Sequence, residues 1–230
     1  MTEPSRADLS SWTPRPRPTA TRLEGRWCRL EKFDPARHGD SLYAASLAPG
    51  ADDRFRYLFE PPPPDRAEFD AWASRAAAGT DPLFYAVIDA ASGRAEGRQA
   101  LMRITPEHGV IEIGSILWGP RIARTRIATE ALYLFAKYSF DALGYRRFEW
   151  KCDAQNAPSR KAALRFGFSF EGIFRQHMVV KGKNRDTAWF AIVDEDWPWI
   201  AAGMERWLAP ENFDAAGQQR RTLREAISAD

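Results

Sequence analysis

A chain of 230 residues, 44% of them hydrophobic and nine of them Trp, has material for one ordinary domain with tails or two small ones. Its 33 basic and 31 acidic residues leave a net charge of +2, which excludes the global attraction expected of a nucleic-acid protein and makes any anion site local. Two Cys and three scattered His exclude a disulfide framework and give no metal-ligating cluster, while the lack of a long apolar run or signal-peptide pattern predicts a cytoplasmic protein with no membrane contact.

Residues 1–20 hold four of the 16 prolines and no apolar period, so they read as a flexible or extended arm. Alternation predicts a strand over 26–33, and Asp34-Pro35 opens a helix to about Leu47. Residues 50–64 form a loop in which Phe55, Tyr57, Leu58 and Phe59 precede four prolines, a segment suited either to wall a cleft or to pack beneath a loop. A helix follows over 65–78, with Phe69, Trp72, Ala73 and Ala76 on one face. Strands over 83–89 and 97–104 make a hairpin that leads into the centre of the chain.

That centre, residues 110–152, reads as strand, Arg-rich turn, long helix and strand, the size of one βαβ unit. Residues 110–118 are apolar on both faces except at Glu112 and Ser115, as in a strand buried within a sheet. Gly119-Pro120 ends it, and helical spacing resumes from Ile127 to Leu143, closed by Gly144. Between them lie Arg121, Arg124 and Arg126, with Thr125 as helix N-cap. A helix N-terminus leaves amides unpaired and carries positive partial charge, so this turn is suited to a phosphate or pyrophosphate; the alternative is a solvated basic turn.

Residues 147–152 form a strand parallel to the central one, because a helical crossover joins them. A loop over 153–158, a short helix over 159–166, a hairpin from strands 168–180 and 186–193, a helix over 194–208 and a charged helical tail complete the chain. The expected organisation is an arm over 1–20, one domain over 21–200 and a tail over 201–230.

This order, together with Thr129-Glu130-Ala131, Asn156-Ala-Pro-Ser159, Phe166-Gly167-Phe168 and Glu171-Gly172, resembles the GNAT N-acetyltransferase superfamily, in its ribosomal-protein N-terminal acetyltransferase (RimJ/RimL-like) branch, over roughly residues 22–197. The resemblance implies an α/β (α+β) fold: a mixed, mostly antiparallel sheet whose fourth and fifth strands run parallel and splay, flanked by helices. It implies acetyl-CoA as co-substrate, with no metal. The family's turn has the form Gln/Arg-x-x-Gly-x-Gly/Ala, which falls on Ala123, Arg126 and Ala128, so the amides of Arg124, Thr125, Arg126, Ile127, Ala128 and Thr129 are expected to hold the pyrophosphate. Arg126 replaces the glycine, and its side chain is expected to reach a phosphate directly. Asn156 is implied to hold the pantetheine arm and Ser159 to protonate the departing thiolate, although both residues also suit helix capping. Amides of Ile116, Leu117 and Trp118 are implied to stabilise the oxyanion.

For the base, Glu112 on the central strand shares a face with Gly114 and Ile116, and apolar neighbours would raise its pKa; the alternative is a structural ion pair. His177, with an ordinary pKa near neutrality, is the second candidate. Cys152 lies at the end of an apolar strand with no His nearby in sequence, which favours direct transfer over an acyl-enzyme. The basic hairpin tip with Lys181, Lys183 and Arg185 is given no role. The reading is an acetyl-CoA-dependent N-acetyltransferase acting on a protein N-terminal α-amine or a small-molecule amine, with a homodimer compatible; the alternative is a non-catalytic acyl-CoA-binding regulatory module. Neither GxxxxGK[ST] nor GxGxxG occurs.

Overall fold

A computed structural model describes residues 8–228 of the chain. Eight strands, β1 (Arg22–Glu24), β2 (Cys28–Lys32), β3 (Leu83–Asp89), β4 (Ala95–Thr105), β5 (Val110–Trp118), β6 (Arg147–Asp153), β7 (Ser169–Val180) and β8 (Lys183–Val193), form one sheet in the order β1-β2-β3-β4-β5-β6-β8-β7. Every neighbouring pair is antiparallel except β5 and β6, which run parallel because a helical crossover joins them. The expected mixed α/β architecture is therefore present, with β5 extending over the same residues that its apolar run marks out.

Among the described residues, seven α-helices flank the sheet: α1 (Pro35–Leu47), α2 (Ala51–Phe55), α3 (Arg66–Ala78), α4 (Arg126–Lys137), α5 (Ala157–Arg165), α6 (Trp197–Leu208) and α7 (Leu223–Ile227). Their starts follow from local chemistry. The Asp34 carboxylate accepts from Ala36 N and that of Asp65 from Glu68 N, and Pro35, Pro158 and Pro198 each sit in a first turn where no intrahelical donor is lost. A π-helical turn, Tyr138–Ala142, extends α4 before Gly144, whose φ of +70° releases the chain.

One face of the sheet packs on α4 and α6 around Ile111, Ile113, Phe135, Phe148, Phe190 and Trp197. The opposite face of β3 and β4 is covered by α1 and α3, with Phe33, Leu42, Phe69 and Ala73 buried between the layers. Strand register carries that second face across β5 and β6, where, beside Met102 of β4, it bears Glu112, Glu149 and Lys151 rather than apolar residues.

Three details differ from the sequence reading. The arm residues 8–20 are docked in extended form: Tyr138 Oη accepts from Thr19 N and Ala20 N, and Trp12 Nε1 donates to Glu107 O. The arm's residues 1–7 lie outside the described residues. β1 is only three residues long, too short for an alternation signal, and the tail contains a 3₁₀ turn and the five-residue α7 in place of a continuous helix. Among the described residues, no helix is long and apolar enough to cross a membrane.

Candidate active site

β5 and β6 pair only from Val110↔Arg147 to Ile113↔Trp150 and then part. The cause lies in β5. Ser115 adopts φ of +48°, and Ser115 and Ile116 together oppose Gln99 of β4, which is a bulge that bends and re-aims the strand. Beyond it, the flank of Gly114–Trp118 facing β6 has no strand partner. Arg98 Nη1 pins the bulge from the far side by donating to Ser115 O at 3.0 Å.

The bulge also reverses the alternation. Ile116 and Trp118 turn toward the α4-side core with Ile113, so Glu112 and Ile116 do not share a face as the alternation predicts. Trp118 Nε1 donates to Gln99 Oε1 at 3.2 Å and Gln99 Nε2 to Ala131 O at 2.8 Å, which ties the parting strand to α4. Leu117 is buried on the opposite side from these two.

Two helix N-termini meet the mouth of the split, α4 following β5 and α5 following β6. At the first, Gly119 must be glycine, since a Cβ there would lie 2.6 Å from Glu96 O. Arg124 takes the left-handed conformation at φ of +63°, and its side chain is exposed. Thr125 caps α4, accepting from Ile127 N at 3.2 Å, so the Ile127 amide expected for a phosphate is engaged within the turn. Ala128 and Thr129 are buried in the helix.

The Arg126 side chain, expected to reach a phosphate, is stacked on aromatic rings. Its guanidinium lies 3.6 Å over the Trp27 ring, with Phe213 at 5.1 Å, and is drawn to the far side of the turn. A cation absent from the sequence reading links α5 to the first turn of α4: Arg165 of α5 donates to Thr129 Oγ1 at 3.1 Å, and burial lowers its pKa without discharging it. The φ of Arg124 and the stacking of Arg126 also relocate the backbone freedom: the glycine-like position is 124, not 126.

At the second N-terminus, Asn156 Oδ1 accepts from Ser159 N at 3.1 Å, the capping contact its residue type allows. Ser159 Oγ accepts from Trp150 Nε1 at 3.0 Å, which leaves the hydroxyl proton free to be given elsewhere. Cys152 sits beside it; burial raises the thiol's pKa, against a smaller opposing effect of Ser159, so the group stays protonated and is unsuited to nucleophilic attack.

On the second face, Glu112 does not lie among apolar neighbours. Arg103 Nη1 contacts both its oxygens at 2.7 and 2.8 Å and Lys151 Nζ lies 3.0 Å away, an ion pair that occupies the carboxylate. Lys151 also reaches Glu149 at 2.7 Å and lies 3.8 Å over Trp189. His177 Nδ1 is 2.9 Å from Thr187 Oγ1, and its pKa is lowered first by burial and then by Arg103, Arg185 and Lys151, so the imidazole is neutral at pH 7.

The aromatic loop closes over this face. Tyr57 Oη donates to Gln155 O at 3.2 Å, Lys181 Nζ donates to Phe55 O at 2.9 Å, and Glu60 pairs with Arg98. Lys181, given no role from sequence, thus holds the loop to the β7–β8 hairpin. Among the described residues, no group of three His, Cys, Asp or Glu is arranged to hold a metal ion.

Residues 29–169 match the family model of the acetyltransferase (GNAT) domain. The structure is similar to that of a GCN5-related N-acetyltransferase from Brucella melitensis, at 60% identity and TM-score 0.95 over 96% of this chain and 100% of that one. It is also similar to a probable GNAT-family acetyltransferase from Chromobacterium violaceum, at 38% identity and TM-score 0.78 over 86% of this chain and 98% of that one. The uncharacterized N-acetyltransferase YoaA of Bacillus subtilis (strain 168) is 32% identical over 90 residues, 39% of this chain and 50% of that protein; the chain spans about half the length of the curated relatives it matches.

Proposed function

We propose, for a chain that belongs to the GNAT acetyltransferase family, that it moves the acetyl group of acetyl-CoA directly to a primary amine, either a protein N-terminal α-amine or a small-molecule amine, in the manner of the RimJ/RimL-like branch. The observation that carries this reading is the parting of β5 from β6 after Ile113, with two capped helix N-termini at its mouth. A split edge offers unpaired amides, and helix N-termini offer positive potential for a diphosphate. The αL backbone at Arg124, the exposed Arg124 side chain and Arg165 fit an anion there.

Acetyl-CoA supplies an activated thioester. The amine nitrogen forms its bond to the carbonyl carbon as the carbon–sulfur bond breaks. Amides along Gly114–Trp118 face the charge that develops on the carbonyl oxygen. Ser159 passes its hydroxyl proton to the thiolate while taking one from solvent, and His177 takes the proton that leaves the amine and returns it to solvent. Glu112, neutralised by two cations, orders Arg103 and Lys151 and is not assigned as the base. The RimJ/RimL-like placement draws its support from the Thr129–Ala131 and Asn156–Ser159 runs.

Isothermal titration with acetyl-CoA and release of free thiol over an amine panel test the reading; binding without release from any amine would sink it. Ser159→Ala lowers kcat by about 10²-fold with the affinity for acetyl-CoA unchanged. Asn156→Ala, which removes a cap worth about 1 kcal/mol, weakens acetyl-CoA binding roughly fivefold. The pH–rate profile checks His177. Because a neutral imidazole is required and its pKa is lowered, kcat/KM holds through the usual histidine range and declines only below it, a limb that His177→Gln abolishes.

A further inference from the structure

Arg185 of β8 is 8% exposed, and its Nε is buried without a hydrogen-bond partner. No described residue accepts a hydrogen bond from its guanidinium or pairs with it as an ion; the Phe59 ring lies 5.3 Å from it. Arg98, the other fully buried arginine among the described residues, is paired with Glu60 and with Ser115 O. A buried guanidinium N–H without a partner is costly, because its hydration is lost there and no protein group replaces it.

The surroundings explain why no internal group serves. Alternation along β8 puts Arg185 on one face with Thr187 and Trp189, which is the face of Lys151 and His177. Asp153, Cys152, Arg103 and Glu112 are near enough to affect it. Glu112 is already held by Arg103 and Lys151, and Asp153 accepts from Gln155 N at 2.8 Å and forms no ion pair with Arg185. Across this face from β8 stands the aromatic loop with Tyr57 and Phe59.

We propose that the acceptor is an amine bearing a carboxylate, and that Arg185 receives the carboxylate through its planar fork of donors; this rests on the acetyl-transfer reading above. The same cations that attract the carboxylate oppose a second positive charge, so an ammonium brought beside Arg103, Lys151 and Arg185 loses its proton more readily, which is the form that attacks. Two sources share this chemistry, a free amino acid and a peptide N-terminus with an acidic side chain.

The test follows thiol release with free α-, β- and γ-amino acids, their matched amides, and short peptides with Asp or Asn in the first two positions, for the native protein, Arg185→Met and Arg185→Lys. The carboxylate form of a pair is used at least tenfold better in kcat/KM by the native protein, Arg185→Met loses that preference, and Arg185→Lys keeps part of it. Preference among the amino acids identifies a small-molecule source, and preference confined to the Asp peptides identifies a protein N-terminus. Arg185→Met also raises the melting temperature by roughly 2–4 °C, since an unpartnered buried charge is removed. Equal use of acids and amides, a preference that survives Arg185→Met, a lowered melting temperature in that variant, or thiol release from other amines with turnover of no member of this panel overturns the assignment. Failure to bind acetyl-CoA in a separate titration identifies the acetyl-transfer reading itself as the fault.

Discussion

Replacing Glu130 by alanine lowers the free energy of unfolding by about 3–5 kcal/mol. The Glu130 carboxylate, buried on α4, accepts from Arg26 N at 2.8 Å, Trp27 N at 2.6 Å and Cys28 N at 2.7 Å. Three backbone donors of the β1–β2 turn thus end on one side chain, and truncation leaves them without an acceptor. Gly25 shows how tightly the turn is drawn in, since a Cβ there would lie 2.5 Å from the Glu130 carboxyl. The turn in turn places Trp27, whose ring carries Arg126 and whose Nε1 donates to Leu208 O at 3.0 Å, so the damage reaches both the start of α4 and the end of α6. Urea denaturation measures the loss. Glu130→Gln falls between the two, because its amide keeps one acceptor oxygen but turns a donor toward donors. A change below 1 kcal/mol for the alanine variant would show that the turn is satisfied by other means.

Arg98→Met lowers kcat/KM by about 10²–10³-fold and stability by about 2–4 kcal/mol. Arg98 is the joint between three elements that act together at the site. It pairs with Glu60 of the aromatic loop, donates to the carbonyl of the bulged Ser115 and stacks 4.4 Å over Trp72 of α3 and 5.3 Å from Phe84. Burial pulls its pKa down, yet a guanidinium remains charged, so its removal unpairs Glu60 and frees the bulge at once. The amides of β5 are then no longer held within the tolerance that acyl transfer needs. Arg98→Lys does not restore the native rate, because an ammonium lacks the fork that serves two acceptors in different directions. A double-mutant cycle of Arg98→Met with Glu60→Gln separates the two contacts; an unchanged kcat/KM in the single variant, with only stability lost, would confine Arg98 to a structural part.

Much of the scaffold was legible because its signals are local. Periodicity gives β5, β3 and the course of α4, Asp34-Pro35 marks the start of α1, and residue types give Thr125 and Asn156 as caps. The parallel pairing of β5 with β6 follows from the crossover alone. What sequence reading lacked are pairings made by residues far apart in the chain. Nothing near Arg126 announces Trp27, 99 positions earlier, and nothing near Glu112 announces that Arg103 and Lys151 will close on it. The bulge is hidden for a different reason: Ser115 is a non-glycine residue in left-handed backbone, a conformation with no reliable residue signature, so the alternation appeared to run unbroken to Ile116. Sequence reading sets Arg98 within a strand and Arg185 at a hairpin tip; the fold places both in strands and buries both, the one paired with Glu60 and the other without a partner among the described residues.

The brief contact between β5 and β6 has a mechanical meaning. Four rungs, from Val110↔Arg147 to Ile113↔Trp150, are all the ladder that spans the middle of the sheet, so the antiparallel blocks on either side depend there on the core packed beneath them. A guest with amide groups spaced along its length can continue the ladder along the bare edge and weld the blocks together.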